Sequence, residues 1–578
     1  MQKTNSYNIQ NTPQQKPDQD QNIKESKKFN ASVLLEEQQE RGIGGVAEFP
    51  DQVLQEVRPL SQSRKYVIVS ALCAAIFLAS LDNTIMATAL PTIANHFNAS
   101  SSISWIVAAN FLTTTCFQPL YGKLSDIFGR KESILTAIAI FITGSLISGL
   151  ARSIPMLIFS RAFTGIGGAG MFVMVQIIIS EMVTIQERGL YTGLIGVAVG
   201  SASVIGPLIG GVFTDKIGYQ WCFFVSVLVG IVAGSCIYFL IKIPKPQGRI
   251  KEKIKRVDFQ GIFSLIFGLT MILLALNFGS NGKPWTGTVV LTLMISGILT
   301  ILGFVFIELK LAKEPILPLH LFNVRNVWSV VLAQFFMGFA LYGLIYYIPM
   351  YDTIVNNATA SKAGLFMLPF IITLVTFSIL TGVAITKTGY YCIFFRSGVV
   401  LLSIGSGMLI SLNTNTSSGL TKFYMCLCGC GCGLTMQSLI VCIQAAVSKK
   451  MIASATSAVM FARMLSATVG NVLASVVYKS IVNSRASVLI QEYPDSKDKI
   501  LAALENTKLL HDLSLGTQIS SSLLNAYIQG LKNVFIMFCV VSIISFIFTM
   551  ATKHISLKSK IDDEALQQDS QPGSNTTI

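Results

Sequence analysis

The stretch Gly122-Lys123-Leu124-Ser125-Asp126-Ile127-Phe128-Gly129-Arg130-Lys131 places four charges and two glycines between two apolar runs that carry no charge. Its glycines allow a tight reversal where a side chain would collide, and its cations suit a loop on the cytosolic face of a membrane. The rest of the 578-residue chain agrees. Soluble proteins are about a quarter charged, whereas this one is 12% charged and 52% hydrophobic, so most of its length is unsuited to water. Apolar runs near or above the ~18-residue threshold recur and strand-like alternation does not. The expected fold class is therefore all-α, a polytopic membrane protein whose helices satisfy their own backbone in lipid.

Reading outward from the hairpin gives fourteen spans, the first at Tyr66 to Leu90 and the last at Val534 to Met550. An even number puts both termini on one side. Lys and Arg concentrate in the short loops on that side, above all in Lys242 to Asp258, so both tails are expected in the cytosol. The organisation read from this is a disordered, Gln-, Asn- and Lys-rich tail (1–65) and a first six-helix half (66–241). A basic loop with two inserted helices (242–326) follows, then a second six-helix half (327–550) with a long non-cytosolic loop (478–533), and a cytosolic tail (551–578). No apolar stretch precedes the first span, which is expected to act as its own insertion signal.

Other composition signals narrow the function. The net charge of +14 sits largely at membrane edges, where anionic headgroups rather than nucleic acid are the expected partner. Cys426, Cys428, Cys430 and Cys432 alternate with glycines, but residues two apart on a helix point to opposite sides, so no metal site is expected. With Gly429, Gly431 and Gly433 they make a slim helix suited to close packing. Sequons at Asn98, Asn357 and Asn415 fall on one side, but others at Asn30 and Asn575 lie in the tails. Gly165 to Gly170 matches G-x-G-x-x-G inside an apolar span, without the strand a dinucleotide site needs. No Walker lysine motif, zinc-protease motif or nucleophile elbow occurs, so the chain reads as no enzyme and without cofactor.

Ionisable groups inside a span are costly and point to function. Three stand out: Asp82, Arg161 and Arg463. Asp82 is a candidate proton-exchanging carboxylate or a structural acid bonded to a neighbouring helix. Arg161 cannot lose its proton and needs water or an acidic partner; Gln176, on roughly the same face, fits a helix lining an aqueous cavity. Arg463 is either functional or a cation snorkelling to the membrane edge. Asn110, Gln118, Gln176 and Arg463 are the candidate cavity residues.

The hairpin matches the G-x-L-x-D-x-x-G-R-K signature and resembles the loop between spans 2 and 3 of the major facilitator superfamily. Span 5, with Gly193, Ala202 and Gly206-Pro207-Leu208-Ile209-Gly210-Gly211, resembles the antiporter motif of that superfamily's exporters. With Leu81 to Ile85, Ala89-Leu90-Pro91 and the Arg161 segment, the first half looks like the fourteen-span drug:proton antiporter family of fungi and bacteria. The resemblance implies proton coupling at Asp82 and Arg161. It also implies a gating loop at Gly122, Asp126, Gly129, Arg130 and Lys131, with the antiporter motif at Gly193, Gly206, Pro207, Gly210 and Gly211. Tyr219 to Ser226 departs from the family's W-R-W pattern. Phe117 to Tyr121 is similar to the vacuolar basic amino-acid transporters of the same family.

Three functions follow. The first is proton-coupled export of apolar or cationic small molecules by alternating access, carried out by a monomer in the plasma or vacuolar membrane; a vacuolar basic amino-acid transporter and a non-transporting nutrient sensor are the alternatives. A weaker echo of the hairpin at Gly382 to Gly389 keeps the glycine spacing but has Thr386 where Asp126 stands. Unequal latches are expected, so Asp126→Ala should lower transport several-fold more than Thr386→Ala in a vesicle flux assay; equal losses would contradict this.

Overall fold

Lipid offers the backbone no hydrogen-bond partner, and the apolar runs accordingly form long helices. The computed structural model describes residues 62–97, 103–185, 187–241, 246, 249–280, 283–358, 360–505 and 517–556. Apart from 62–65 and 551–556, both expected tails lie outside these residues, as do the sequons at Asn30, Asn98 and Asn575.

Fourteen long helices are described. The first six are α1 (Gln62–Phe97), α2 (Ile103–Phe128), α3 (Arg130–Gly149), α4 (Ile154–Met182), α5 (Arg188–Lys216) and α6 (Trp221–Leu240). Two more are α7 (Phe259–Ser280) and α8 (Thr288–Lys310). The last six are α9 (Arg325–Asn356), α10 (Leu368–Thr388), α11 (Cys392–Leu409), α12 (Ser418–Ala446), α13 (Ile452–Glu492) and α14 (Thr517–Met550). Thirteen are long and apolar enough to cross a membrane. The exception, α2, carries Asn110, Thr113, Thr114, Thr115 and Gln118, and packs inside the protein between α4 and α13.

The packing shows a repeat that the sequence only hints at. In the first half, α1 packs on α5 and α6, α2 on α4, and α3 on α4 and α6. In the second half, α9 packs on α13 and α14, α10 on α12, and α11 on α12 and α14, the same scheme eight helices on. The halves join through two equivalent seams, α5 against α10 and α2 against α13. The inserted helices α7 and α8 pair with each other, and α7 lies against both α2 and α13. Outward-facing Phe239, 73% exposed, and Phe263, 70% exposed, need a lipid surface.

The segment 478–533, expected as a non-cytosolic loop able to carry a helical cap, is largely helical among its described residues: α13 continues to Glu492, α14 begins at Thr517, and Tyr478 and Tyr527 pack their rings 6.1 Å apart. Charges such as Lys479 and Arg485 end the hydropathy signal without ending the helix. The reversal after α2 is made by one glycine, not two. Gly129 has φ +109°, while Gly122 lies inside α2. The small residues of α12 fit two neighbours at once: a Cβ on Gly431 would come within 2.6 Å of Gly398 O on α11, and one on Gly433 would meet the backbone of α10. Gly431→Leu should therefore cost about 1–3 kcal/mol or more from overpacking, read as a lower melting temperature in detergent, whereas Gly419→Leu, in open space, should be neutral.

Candidate functional site

The two buried charges of the first half meet. Asp82 lies in the part of α1 away from the hairpin, and Arg161 lies seven residues into α4, about 10 Å from its start. Arg161 Nη1 donates to Asp82 Oδ1 at 2.9 Å and forms an ion pair with Oδ2 at 2.8 Å, with the side chains 1% and 2% exposed. The Phe223 ring lies 6.0 Å from the guanidinium, which gives a role to the Tyr219 to Ser226 segment. Arg161 Nε has no partner. Next to the pair, Asn110 Nδ2 donates to Asn83 Oδ1 at 2.7 Å. Thr113 and Thr114 donate to the carbonyls of Ala162 and Gly165, fastening α2 to α4. Gly165 allows this approach, because a Cβ there would collide with Asn110 and Thr113.

The other candidates separate along the bundle. Gln176 is buried about 22 Å from Arg161 along α4, so the two do not line one spot. Gln118 is 1% exposed, and its Oε1 lacks a partner, as does that of Gln176. Gly168 is buried, yet a Cβ there would meet nothing within 4 Å. Contacts between Thr114 and Gly165, and between Tyr121 and Gly170, put Gly168 at the level of Gln118. Open space therefore borders α4 in the middle of the bundle. Arg463 is 6% exposed and, eleven residues or about 16 Å into α13, too deep to snorkel out. Its Nη2 reaches Met460 Sδ at 2.9 Å.

The hairpin end is held by ion pairs and glycine contacts. Arg130 Nη2 bonds Asp126 Oδ1 at 2.6 Å and Glu181 Oε1 at 2.7 Å, its Nε donates to both Glu181 oxygens, and Nη1 donates to Ser125. Burial raises the Asp126 pKa above the ordinary carboxylate value although Arg130 and Lys123 pull it down. Lys131 Nζ donates to Tyr238 O at 2.6 Å, closing the end of α6. Lys123 bonds Glu314 at 2.9 Å, and Arg256 bonds Glu314 at 2.6 Å. Burial opposes ionisation of Glu314, yet the two cations bring its pKa below the ordinary value.

Both seams close at this end. A Cβ on Gly122 would come within 2.6 Å of Ser457 Oγ on α13. On α5, Gly189, Gly193, Gly196 and Gly200 face Gly382, Ser378 and Val375 of α10. Thr386 accepts from Leu190 N at 3.1 Å across that seam. The antiporter-like stretch does something different: Gly206 packs against Thr84 on α1, where Thr84 Oγ1 donates to Ala202 O at 3.0 Å. Pro207 lies inside α5 and meets Gly364, while Gly210 and Gly211 offer their carbonyls to Thr214. Sequence reading missed Glu181, Glu314 and Gly168. It also missed Gly189, Gly196 and Gly200, although their spacing with Gly193 marks one helix face.

A family model described as the Major Facilitator Superfamily matches residues 72–471. The chain belongs to this superfamily. It is a small-molecule transporter and not an enzyme. It is 34% identical over 397 residues, 69% of this chain and 68% of the relative, to the efflux pump dotC of Dothistroma septosporum. It is also 30% identical over 521 residues, 89% and 93% of the two chains, to the efflux pump FUS6 of Gibberella fujikuroi. Among solved structures, the human organic anion transporter MFSD10 matches with a TM-score of 0.57 at 13% identity, over 84% of this chain and 99% of that one, a likeness of fold.

Asp82→Ala strands a buried guanidinium, so it should cost about 3–5 kcal/mol, whereas the neutral double variant Asp82→Asn/Arg161→Gln should regain much of that thermal stability. Gly168→Leu should leave the melting temperature nearly unchanged while cutting flux at least tenfold. Gly167→Leu, whose Cβ would hit the α3 backbone at Ala137 and Phe141, should destabilise the protein instead.

Proposed function

We propose that this protein is a proton-coupled exporter of small organic compounds that works by alternating access. The observation that carries the reading is the Asp82–Arg161 pair, buried near the end of the bundle opposite the hairpin. A proton arriving at Asp82 neutralises the carboxylate and frees the arginine. That change is large in a medium with little water and favours a different helix arrangement. The two seams supply the moving surface, since glycines bring the halves into close backbone contact there, Gly189 to Gly200 against α10 and Gly122 against α13. The efflux-pump names of the fungal relatives support export.

The hairpin, with Asp126, Arg130, Lys131 and Glu181, is the latch of the closed end. Its basic residues support a cytosolic location for that end and for both termini, in a monomer of the plasma or vacuolar membrane. The basic amino-acid alternative needs a buried carboxylate for the substrate. Those among the described residues are engaged: Asp82 with Arg161, Asp352 with Asn356, and Glu308 with the amides of Ile316 and Leu317.

Purified protein in liposomes tests the coupling. A pH gradient, acid on the face opposite the hairpin, should drive substrate toward that face. Asp82→Asn should lose the gradient dependence while still allowing slow equilibration. Gradient-driven flux unchanged in Asp82→Asn would remove Asp82 from the coupling step.

A further inference from the structure

The first half neutralises its buried arginine with its own carboxylate; the second half does not. Arg463 has no acidic partner among the described residues: Nη2 rests on the Met460 sulfur and Nη1 has no partner. The titratable group interacting with it is Tyr342, not a carboxylate. Its stem runs along Gly338 on α9, where an added Cβ would press on Arg463 Cγ. One turn toward the hairpin end on the same face of α9, Gln334 repeats the pattern. Its Nε2 reaches only Met337 Sδ, at 3.9 Å, and its Oε1 is unpartnered.

A thioether is a weak acceptor, and methionine is a flexible filler that a better partner displaces. A guanidinium stays charged, so its burial is sustained by a partner that arrives. The depth fits a ligand. Ser457 lies against Gly122, so Arg463, six residues or about 9 Å further from the hairpin end, is near the level of Gln118 and of the open space at Gly168.

We propose that Arg463 is the substrate-binding cation of this transporter, and that the compounds it exports carry an acidic oxygen, a carboxylate, phenolate or enolate, which replaces the Met460 sulfur on the guanidinium. Gln334 adds an amide donor beside it. The proposal rests on the export reading for what happens to the bound compound, and it replaces a cationic substrate with an acidic one on an otherwise apolar body.

The test uses full-length protein in detergent and two probes of one skeleton, anionic fluorescein and cationic rhodamine 123, with binding read by fluorescence anisotropy. Wild type should prefer fluorescein. Arg463→Gln should lower the fluorescein-to-rhodamine affinity ratio about tenfold, the size expected for a lost charge-assisted hydrogen bond, and Arg463→Lys should recover part of it. Should the glutamine variant fail to fold, competition on wild type reads the same property: benzoate should displace fluorescein and benzyl alcohol should not. The proposal is overturned if wild type prefers rhodamine 123 or binds neither probe, if Arg463→Gln weakens both equally, or if benzyl alcohol competes as well as benzoate. Binding is read without flux. A protein that binds fluorescein through Arg463 but moves none of it in liposomes would therefore keep this site and overturn export instead.

Discussion

A charge or backbone amide inside a bilayer has little water to turn to, so each needs a partner in the protein or in what the protein binds. That constraint explains why the chain is helical throughout its core and why Asp82 and Arg161, 79 residues apart, end in contact. It also explains how the pair organises its surroundings. Fixing it sets the rotation of α1 against α4, which places Asn83 opposite Asn110 and brings Phe223 over the guanidinium. The threonines of α2 then hold a third helix to the same corner through the carbonyls of α4.

The seams between the halves follow another logic. Inside each half, aromatic and branched side chains interlock, as Tyr347, Phe535 and Phe538 do in the second half. Across the seams the closest backbone approaches are made at glycines, Gly189 to Gly200 against α10 and Gly122 against α13, with Ser378, Ser457 and Val375 facing them. Lipid tails are as apolar as leucine, so separating an interlocked apolar surface in a membrane forfeits packing without a compensating hydration effect. A seam of backbone and small residues gives up little when it opens. In the proposed alternating-access cycle, the charged hairpin network supplies the holding force at one end, where water is available to receive the charges on release.

Much of this was legible in the sequence and some was not. The fourteen helices, the charged hairpin and the isolated Asp82 and Arg161 could be read because lipid makes charge rare and therefore conspicuous. Their pairing could not, since it depends on helix rotation. Glu181 and Glu314 escaped notice because a charge at a membrane edge is cheap and resembles any other loop charge. The Gly189 to Gly200 face was readable from its spacing but was overshadowed by the Gly206-Pro207 stretch, whose Gly206 packs on Thr84 of α1 instead of on the α10 seam. Gly168 is one glycine in a run, and only the packing separates the one that borders open space from Gly167 and Gly170, which touch neighbours.

The inserted pair has a consequence for how a compound reaches the interior. Helix α7 lies along the seam between α2 and α13, whereas among the described residues the α5 and α10 seam is met by the short helix Ala360–Phe366 and not by either inserted helix, and α5 and α10 carry exposed Leu208, Val212, Ile372 and Leu380. The two seams are equivalent by repeat but not by environment: one is roofed by an inserted helix and the other is not. A compound already dissolved in the membrane therefore meets a sided molecule, whose two seams present different surfaces to it.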